Sequence, residues 1–535
     1  MRKPSIWKKK KFKELLVIFL ILFLSFWLIR PFLKSGFFPT HDGEWAVVRL
    51  GAMHRAIIAG HFPVRWAGNL NFSYGYPLFL FTYPLPYYLG EIFNLFGFGL
   101  VNSIKILFVL SVIFSGLAMF LLGRELFGDI GGSIAAIFYL YAPFRLVDLY
   151  VRGSLGESLA FVLYPLLFLS LIKFKQNPRR WLALGAIFYG ALILTHNVSA
   201  LLITPFLVIF AFLSSPRRSL GIFVLGVGLA SFFLFPALSE KSKIALSQIP
   251  LADKSQHFVN FRQLLMPSWG YGSPGSEDAF SFQLGLVHLI GLFLGLILWF
   301  KNNNRFFLFF TLCFLVTIFL TLPVSGVFWE LPFFKEVDFP WRYLGPASFF
   351  LALSLGYLGT RWRTRMVAVV LAFLAIVVNF RYAKPVSFIN YPDEYYLTNE
   401  ATTTSANELM PIWVQEKPTE RPKNRVEVIG GKAKIDQVAF NAKKTQFDVV
   451  AEAESEIQIN MIYFPGWQAK VDGKITPLSY DNEEGVIRMK IFSGKHRVVV
   501  EFKETPLRLF ADAVSLVSLT ITGGILIKNR RKNEA

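Results

Sequence analysis

The stretch that follows the first long apolar run is crowded with side chains that take protons or hold anions. It contains His41-Asp42-Gly43-Glu44-Trp45, then Arg49, His54, Arg55, His61 and Arg65. Asp42 and Glu44 are candidate proton acceptors, because a carboxylate held near lipid is partly desolvated and takes a proton more readily. Asp42 also precedes a helix expected to begin at Gly43, and capping, worth ~1 kcal/mol, is the plainer use of an aspartate there. Farther along, Arg145, Asp148 and Arg152 fall at i, i+3 and i+7 and share one face of a helix. With Glu157 next, they read as a phosphate clamp oriented by Asp148 or as a salt-bridge ladder. Arg342, in Phe339-Pro340-Trp341-Arg342-Tyr343 with Lys335 nearby, either holds a phosphate or snorkels to lipid head groups. His196, in Thr195-His196-Asn197, is a donor in a cavity or a polar turn residue. Glu277-Asp278 reads as a solvated loop, with cation or acceptor binding as the alternative.

Composition says what kind of element must position these groups. Of 535 residues, 54% are hydrophobic and 17% charged, with a mean hydropathy of +0.47. Soluble domains carry roughly 25% charged residues, and apolar runs of about 18 residues read as membrane spans. Such runs are predicted near 15–29, 101–122, 131–149, 157–173, 181–195, 198–213, 218–238, 284–300, 305–322, 343–360, 364–381 and 506–527. That is about twelve helices. Residues 77–97 are apolar enough to be another, but Pro77, Pro84 and Pro86 with Tyr83, Tyr87 and Tyr88 suit an interfacial or re-entrant piece. No small-residue cleavage site follows the first run, so it reads as an uncleaved span.

The charge is a topology signal. The segments 1–13, 173–180, 214–218, 301–305, 361–365 and 528–535 hold 22 of the 55 basic residues and one acid, Glu534, while the whole chain is +20. Basic residues in short loops mark the cytoplasmic side, which places both termini inside and removes the case for a nucleic-acid partner. The lone Cys313 lies inside an apolar run, which excludes an intrachain disulfide and a cysteine-based zinc or iron–sulfur site. No phosphate-binding loop, dinucleotide fingerprint or clustered histidines occur, so no cofactor is expected, with a divalent metal left open.

The chain divides into three parts. Residues 1–381 form the membrane domain, in which 34–100 is an external loop whose Ala46–Ala59 stretch is amphipathic and lies along the membrane surface. Residues 382–505 have soluble composition, with 16 basic and 18 acidic residues. There Ile457, Ile459 and Met461 alternate with Gln458 and Asn460, and Asp472-Gly473 is a strong hairpin signal, so an external β-sandwich is expected. Residues 506–535 are a last span with a basic cytoplasmic tail.

The stretches His41-Asp42-Gly43, Gly60-His61-Phe62-Pro63-Val64-Arg65-Trp66, Gly75-Tyr76-Pro77 and Gly123-Arg124-Glu125-Leu126-Phe127-Gly128 resemble one family, as do Tyr463-Phe464-Pro465-Gly466-Trp467, Val471-Asp472-Gly473-Lys474 and Gly494-Lys495-His496. The chain is similar to the GT-C class of polyprenyl-phosphate-sugar glycosyltransferases. Within that class it looks like the bacterial YfhO-like group, which overlaps membrane proteins called 6-pyruvoyl-tetrahydropterin synthase-related. That name refers to a soluble zinc enzyme whose histidine cluster this sequence lacks, so pterin chemistry is not expected. The resemblance implies transfer of a sugar, with inversion, from an undecaprenyl-type phosphate to an external glycan or lipid acceptor, at a cytoplasmic-membrane cell envelope. It also implies an acidic residue of the first loop as base, matched by Asp42 with Glu44 second. The substrate-binding set expected from both lines is His41, Arg65, Arg145, Arg152, His196, Lys335 and Arg342. A transporter or flippase of lipid-linked glycans is the alternative, disfavoured by spans that are apolar at mid-depth. A non-catalytic envelope assembly protein is the third reading.

Overall fold

A computed structural model describes residues 4–249, 252–274, 279–399 and 401–534, with side chains from 15 to 529. Glu277-Asp278 lies outside the described residues. Long helices occupy the apolar runs. Among the described residues seven are long and apolar enough to cross a membrane: Leu15–Leu33, Leu100–Leu140, Leu155–Lys173, Asn197–Ser214, Arg217–Lys243, Trp362–Phe380 and Pro506–Asn529. An eighth is counted if Arg305–Thr321 and Pro323–Glu330, bent by 88° at their junction, form one span. Leu100–Leu140 is itself two helices joined at Gly128, whose φ of 79° only glycine adopts freely. Pro178–Thr195, as long as Asn197–Ser214 but less apolar, and the shorter helices Leu286–Asn302 and Leu344–Leu355 stand among them.

The outer faces of these helices explain the composition. Phe19, Phe23, Phe212, Val369, Val370, Phe373, Leu516 and Leu519 are exposed although apolar. A water-soluble protein rarely shows contiguous apolar surface on this scale, whereas lipid matches it at no cost. Inside the bundle, small residues let backbones approach, as where Gly123 meets the Cα of Gly132. Residues 77–97 break at their prolines into helices Leu78–Phe81 and Leu85–Phe93, the second running on as a π-turn over Asn94–Phe98, and neither has the length of a span.

Strands β1 (Val426–Gly430), β2 (Ala433–Phe440), β3 (Lys444–Ala451), β4 (Ser455–Ile462), β5 (Trp467–Val471), β6 (Lys474–Thr476), β7 (Val486–Ile491) and β8 (Gly494–Phe502) come next along the chain. They form two antiparallel sheets, ordered β1-β4-β7 and β2-β3-β8-β5-β6. Period-two burial runs through them, with Phe447, Val449, Ile457, Ile459, Val498 and Val500 all inside. The β5–β6 turn falls at Asp472 and Gly473, both at positive φ as a two-residue type I′ turn requires.

The β region is tied to the helices. Arg425 donates to the Ser73 carbonyl at 2.6 Å and Lys443 to the Gly60 carbonyl at 2.8 Å. Below them Arg65, almost fully buried, donates to Glu504 at 3.3 Å, to Asp512 at 2.7 Å and to the Phe232 carbonyl. Beside it Arg508 donates to Glu240 at 2.7 Å, both groups buried. The buried ion pairs join the first loop, helix Gly221–Glu240 and the last helix, which begins where the strands end.

The third predicted span, 131–149, ends early. Pro143 lacks the N–H that would continue the helix and holds Ala142 extended (φ −63°, ψ 130°). The chain stops being helical after Leu140, resumes as the short turn Pro143–Val147 and widens into a π-turn, Asp148–Arg152. The expected single face bearing Arg145, Asp148 and Arg152 therefore does not form.

Candidate functional site

A cleft of about 280 Å³ opens where the first loop, the helix ends and the segment 404–409 meet. Its lining includes Asp42, Arg152, His196 and Arg342, four residues up to 300 positions apart, together with Trp45, Arg49, Tyr83, Tyr87 and Glu408.

Asp42 reaches the cleft because something else caps its helix. At the start of Gly43–Ile58 the Asp42 side chain makes no capping bond; the Gly43 N–H instead donates to Thr40 Oγ1 at 2.9 Å. The capping reading of Asp42 is thus set aside by geometry. The loop is held down by backbone bonds from His41 N to the Val151 carbonyl (3.0 Å) and from Asp42 N to the Arg152 carbonyl (2.8 Å). Gly153 makes this contact possible, since a Cβ there would run into Thr40 Oγ1.

Arg152 and Arg342 differ in how far their charge is already answered. Arg152 Nη1 donates to Asp148 Oδ1 at 2.9 Å and to Glu157, and its guanidinium lies over the Trp341 ring at 4.8 Å. Ser158 also donates to Asp148, at 2.9 Å. Burial, then the neighbouring Glu157, pushes the Asp148 carboxyl upward. Arg342 has no ion pair among the described residues; its Nε lacks a hydrogen-bond partner, and it rests only on Phe339 (5.0 Å) and Trp341 (6.0 Å). Burial, then repulsion from Arg152, disfavours its charge. An anion in the cleft would relieve both. His196 is held by Ser199, whose N–H donates to Nδ1 at 3.1 Å and whose Oγ lies 2.7 Å away, and Tyr83 stands edge-on to it at 5.2 Å. Burial, then the Arg342 and Arg152 cations, holds the imidazole well below its ordinary pKa, so it is neutral.

The other expected residues lie apart. His41, next to Asp42, is exposed, within 3.3 Å of the Tyr271 carbonyl and beside Phe280. Glu44 is half-buried outside the cleft lining, and burial raises its carboxyl pKa. Arg65 belongs to the ion pairs under the β region. Arg145 turns into the bundle, donating to the Ser158 carbonyl at 3.0 Å over the Phe161 ring at 4.4 Å. Lys335 is exposed in a turn, Pro332–Glu336, that does not line the cleft.

Arg49, Tyr83, Tyr87, Ser405 and Glu408 were not in the expected set. Arg49 sits two turns along the amphipathic helix, at a spacing from Asp42 that signals shared placement. For Glu408 no signal exists, because its segment is irregular and meets Asp42 only through the fold.

A membrane-embedded helical bundle with a C-terminal β region and a charged cleft at their junction is the class that fold and site define. The chain belongs to the family of the 6-pyruvoyl-tetrahydropterin synthase related domain, a membrane protein, whose profile matches residues 80–388, more than half of its length. No curated protein matches it. Among solved structures it is similar to the arabinofuranosyltransferase AftD from Mycobacteria, at 15% identity and a TM-score of 0.47 over 71% of this chain and 27% of that one. It is also similar to the apo oligosaccharyltransferase of Archaeoglobus fulgidus, at 12% identity and a TM-score of 0.45 over 76% of this chain and 62% of that one. The chain thus spans about a quarter of the first protein and under two thirds of the second.

Proposed function

We propose that the protein is a membrane glycosyltransferase that moves a sugar from a polyprenyl-phosphate donor to an acceptor hydroxyl on the outer side of the cytoplasmic membrane. The observation that carries the reading is Arg342, which among the described residues makes no ion pair, in a cleft it shares with Asp42, a carboxylate that makes none there either. Leaving such a cation unanswered is costly, and a phosphate leaving group answers it. Asp42 takes the acceptor proton, or aligns the hydroxyl, as the acceptor oxygen bonds to the anomeric carbon. The bond from that carbon to the phosphate oxygen breaks, and the lipid phosphate departs with the electron pair, stabilised by Arg342 and by the remaining N–H groups of Arg152. His196, kept neutral with Nδ1 accepting from the Ser199 N–H, donates one hydrogen bond from Nε2 without adding charge.

The reading carries with it the GT-C-like arrangement: about twelve spans, both termini cytoplasmic, two sheets packed face to face as an external sandwich, and domain limits at 1–381, 382–505 and 506–535. A cell-envelope glycan or lipid is the acceptor class, and a divalent metal is an open requirement. The test replaces Asp42 with Asn and follows turnover of a lipid-linked sugar. Turnover is expected to fall about 10²- to 10⁴-fold; undiminished turnover from a stably inserted variant would remove Asp42 from the chemistry.

A further inference from the structure

The cleft is built from two sources with different chemistry. Asp42, Arg152, His196 and Arg342 come from the first loop and the helix ends, whereas Thr404, Ser405 and Glu408 come from a strap that leads into the strands. The strap is fixed at both ends. At one end Arg49 donates to Thr403 Oγ1 (3.0 Å) and to its carbonyl, while the Thr403 N–H donates to Tyr76 Oη at 3.1 Å. At the other, Ala245 and Leu246 N–H groups donate to the Met410 and Glu408 carbonyls at 2.9 and 2.8 Å. Residues 404–408 are thereby held against the cleft by backbone and side-chain bonds on either flank.

What the strap presents is uncharged or anionic. Glu408 has no ion pair among the described residues; its Oε2 accepts from the Ala406 N–H at 3.0 Å, which aims the carboxylate, and Oε1 makes no hydrogen bond there. The nearby cation, Arg49, is spent on Thr403 and on Tyr87 Oη at 3.3 Å. Trp45 and Tyr87 add aromatic faces to the lining. Carboxylate and hydroxyls that fix O–H groups, beside rings that pack against apolar C–H faces, form a surface for a neutral sugar ring. A phosphate-bearing acceptor would meet Glu408 without a free cation on the strap.

We propose that the 403–409 strap is the acceptor wall of the cleft, that the acceptor is the hydroxyl of a neutral sugar, and that Glu408 positions it. This rests on the transfer reading above. Glu408 is a positioning residue, orienting the acceptor while Asp42 handles the proton.

The test uses the full chain in lipid nanodiscs and two probes: a panel of methyl hexosides, and farnesyl phosphate as a stand-in for the departing lipid. Binding is read by ligand-observed NMR. Glu408→Gln keeps the Ala406 bond and the shape but removes the charge. It should weaken hexoside binding about tenfold or more while leaving farnesyl phosphate within about twofold. Ser405→Ala, at an exposed position, checks the same wall and should weaken the hexoside about threefold. Arg342→Gln should do the reverse, lowering affinity for farnesyl phosphate alone. The proposal is overturned if no methyl hexoside binds the wild-type chain, if both strap variants bind hexosides as well as it does, or if they weaken both probes alike. If instead farnesyl phosphate ignores Arg342 while hexoside binding still depends on Glu408, the transfer reading fails and the sugar-binding wall stands.

Discussion

At the scale of single residues, the division of labour between Thr40 and Asp42 is the most informative feature of the first loop. A cap and a catalytic carboxylate compete for the same residue types at a helix start, and here neighbouring side chains share the two tasks. Thr40→Ala should cost ~1 kcal/mol in stability, read as a lower melting temperature in detergent. Asp42→Asn should leave melting unchanged, since its side chain makes no capping bond. Equal losses would mean that Asp42 does structural work. Arg342 and Arg152 are separated by the same logic. Arg152 is already paired with Asp148 and Glu157, so its replacement should damage folding, whereas Arg342→Gln should lower turnover about 10²- to 10³-fold with little effect on melting.

Elements matter through the junctions between them. Gly153, at φ 60°, lets the π-turn Asp148–Arg152 lie against Thr40 and Gly43. Gly153→Ala adds a Cβ at a positive φ and pushes on Thr40, so it should weaken both the loop and the activity; a fully active variant would show that the loop tolerates displacement. Gly128 also has a positive φ (79°, with ψ 176°) but open space around it, so Gly128→Ala should cost about 1–3 kcal/mol of backbone strain and spare turnover. In the β region His496 Nδ1 lies 2.7 Å from Asp472 Oδ2, across from the β5–β6 turn. The hydrogen bond raises the His496 pKa; backbone and His496 bonds lower that of Asp472. A raised histidine stabilises below its ordinary pKa and loses that contribution as pH climbs through the folded value. A lowered aspartate stabilises above its ordinary pKa and loses its contribution as pH falls through the folded value. The pair is therefore strongest in the mildly acidic range between them. Asp472→Asn should bring the His496 titration midpoint down, as tracked by NMR of labelled histidines, and an unmoved midpoint would break the assignment.

For the molecule as a whole, the ion pairs under the strands decide how the two regions stay in register. Replacing Arg508 with Met leaves Glu240 buried without its cation, and removing one partner of such a pair costs about 3–5 kcal/mol. A melting temperature unchanged by Arg508→Met would mean that the junction is held by packing alone. The proposed orientation has its own check. Cys313 is buried, so cysteines introduced at Lys470 and at Lys175 report without background. An impermeant maleimide applied to intact cells should label position 470 and spare 175.

Solvent preference and residue period, both legible in the chain before any contact is known, were enough to settle the kinds of element. Long uncharged runs had to become membrane helices, because no other element satisfies its own backbone in lipid. Alternation and Asp-Gly had to become paired strands, and prolines broke 77–97 into helices shorter than a span. Asp42, Arg152, His196 and Arg342 were legible as chemistry because they lie outside the basic loops that mark topology, in a chain of which only 17% is charged. Which of them meet was a matter for the tertiary structure. The π-turn at Asp148–Arg152 altered the face that spacing had drawn: Arg152 stayed at the cleft, paired with Asp148, while Arg145 turned into the bundle. Arg65 was drawn into ion pairs with residues more than 400 positions away. Glu408 entered the cleft on an irregular strap with no periodic signal. Local pattern records the environment each residue needs. The partner that supplies it comes from the fold, through contacts that sequence spacing does not encode.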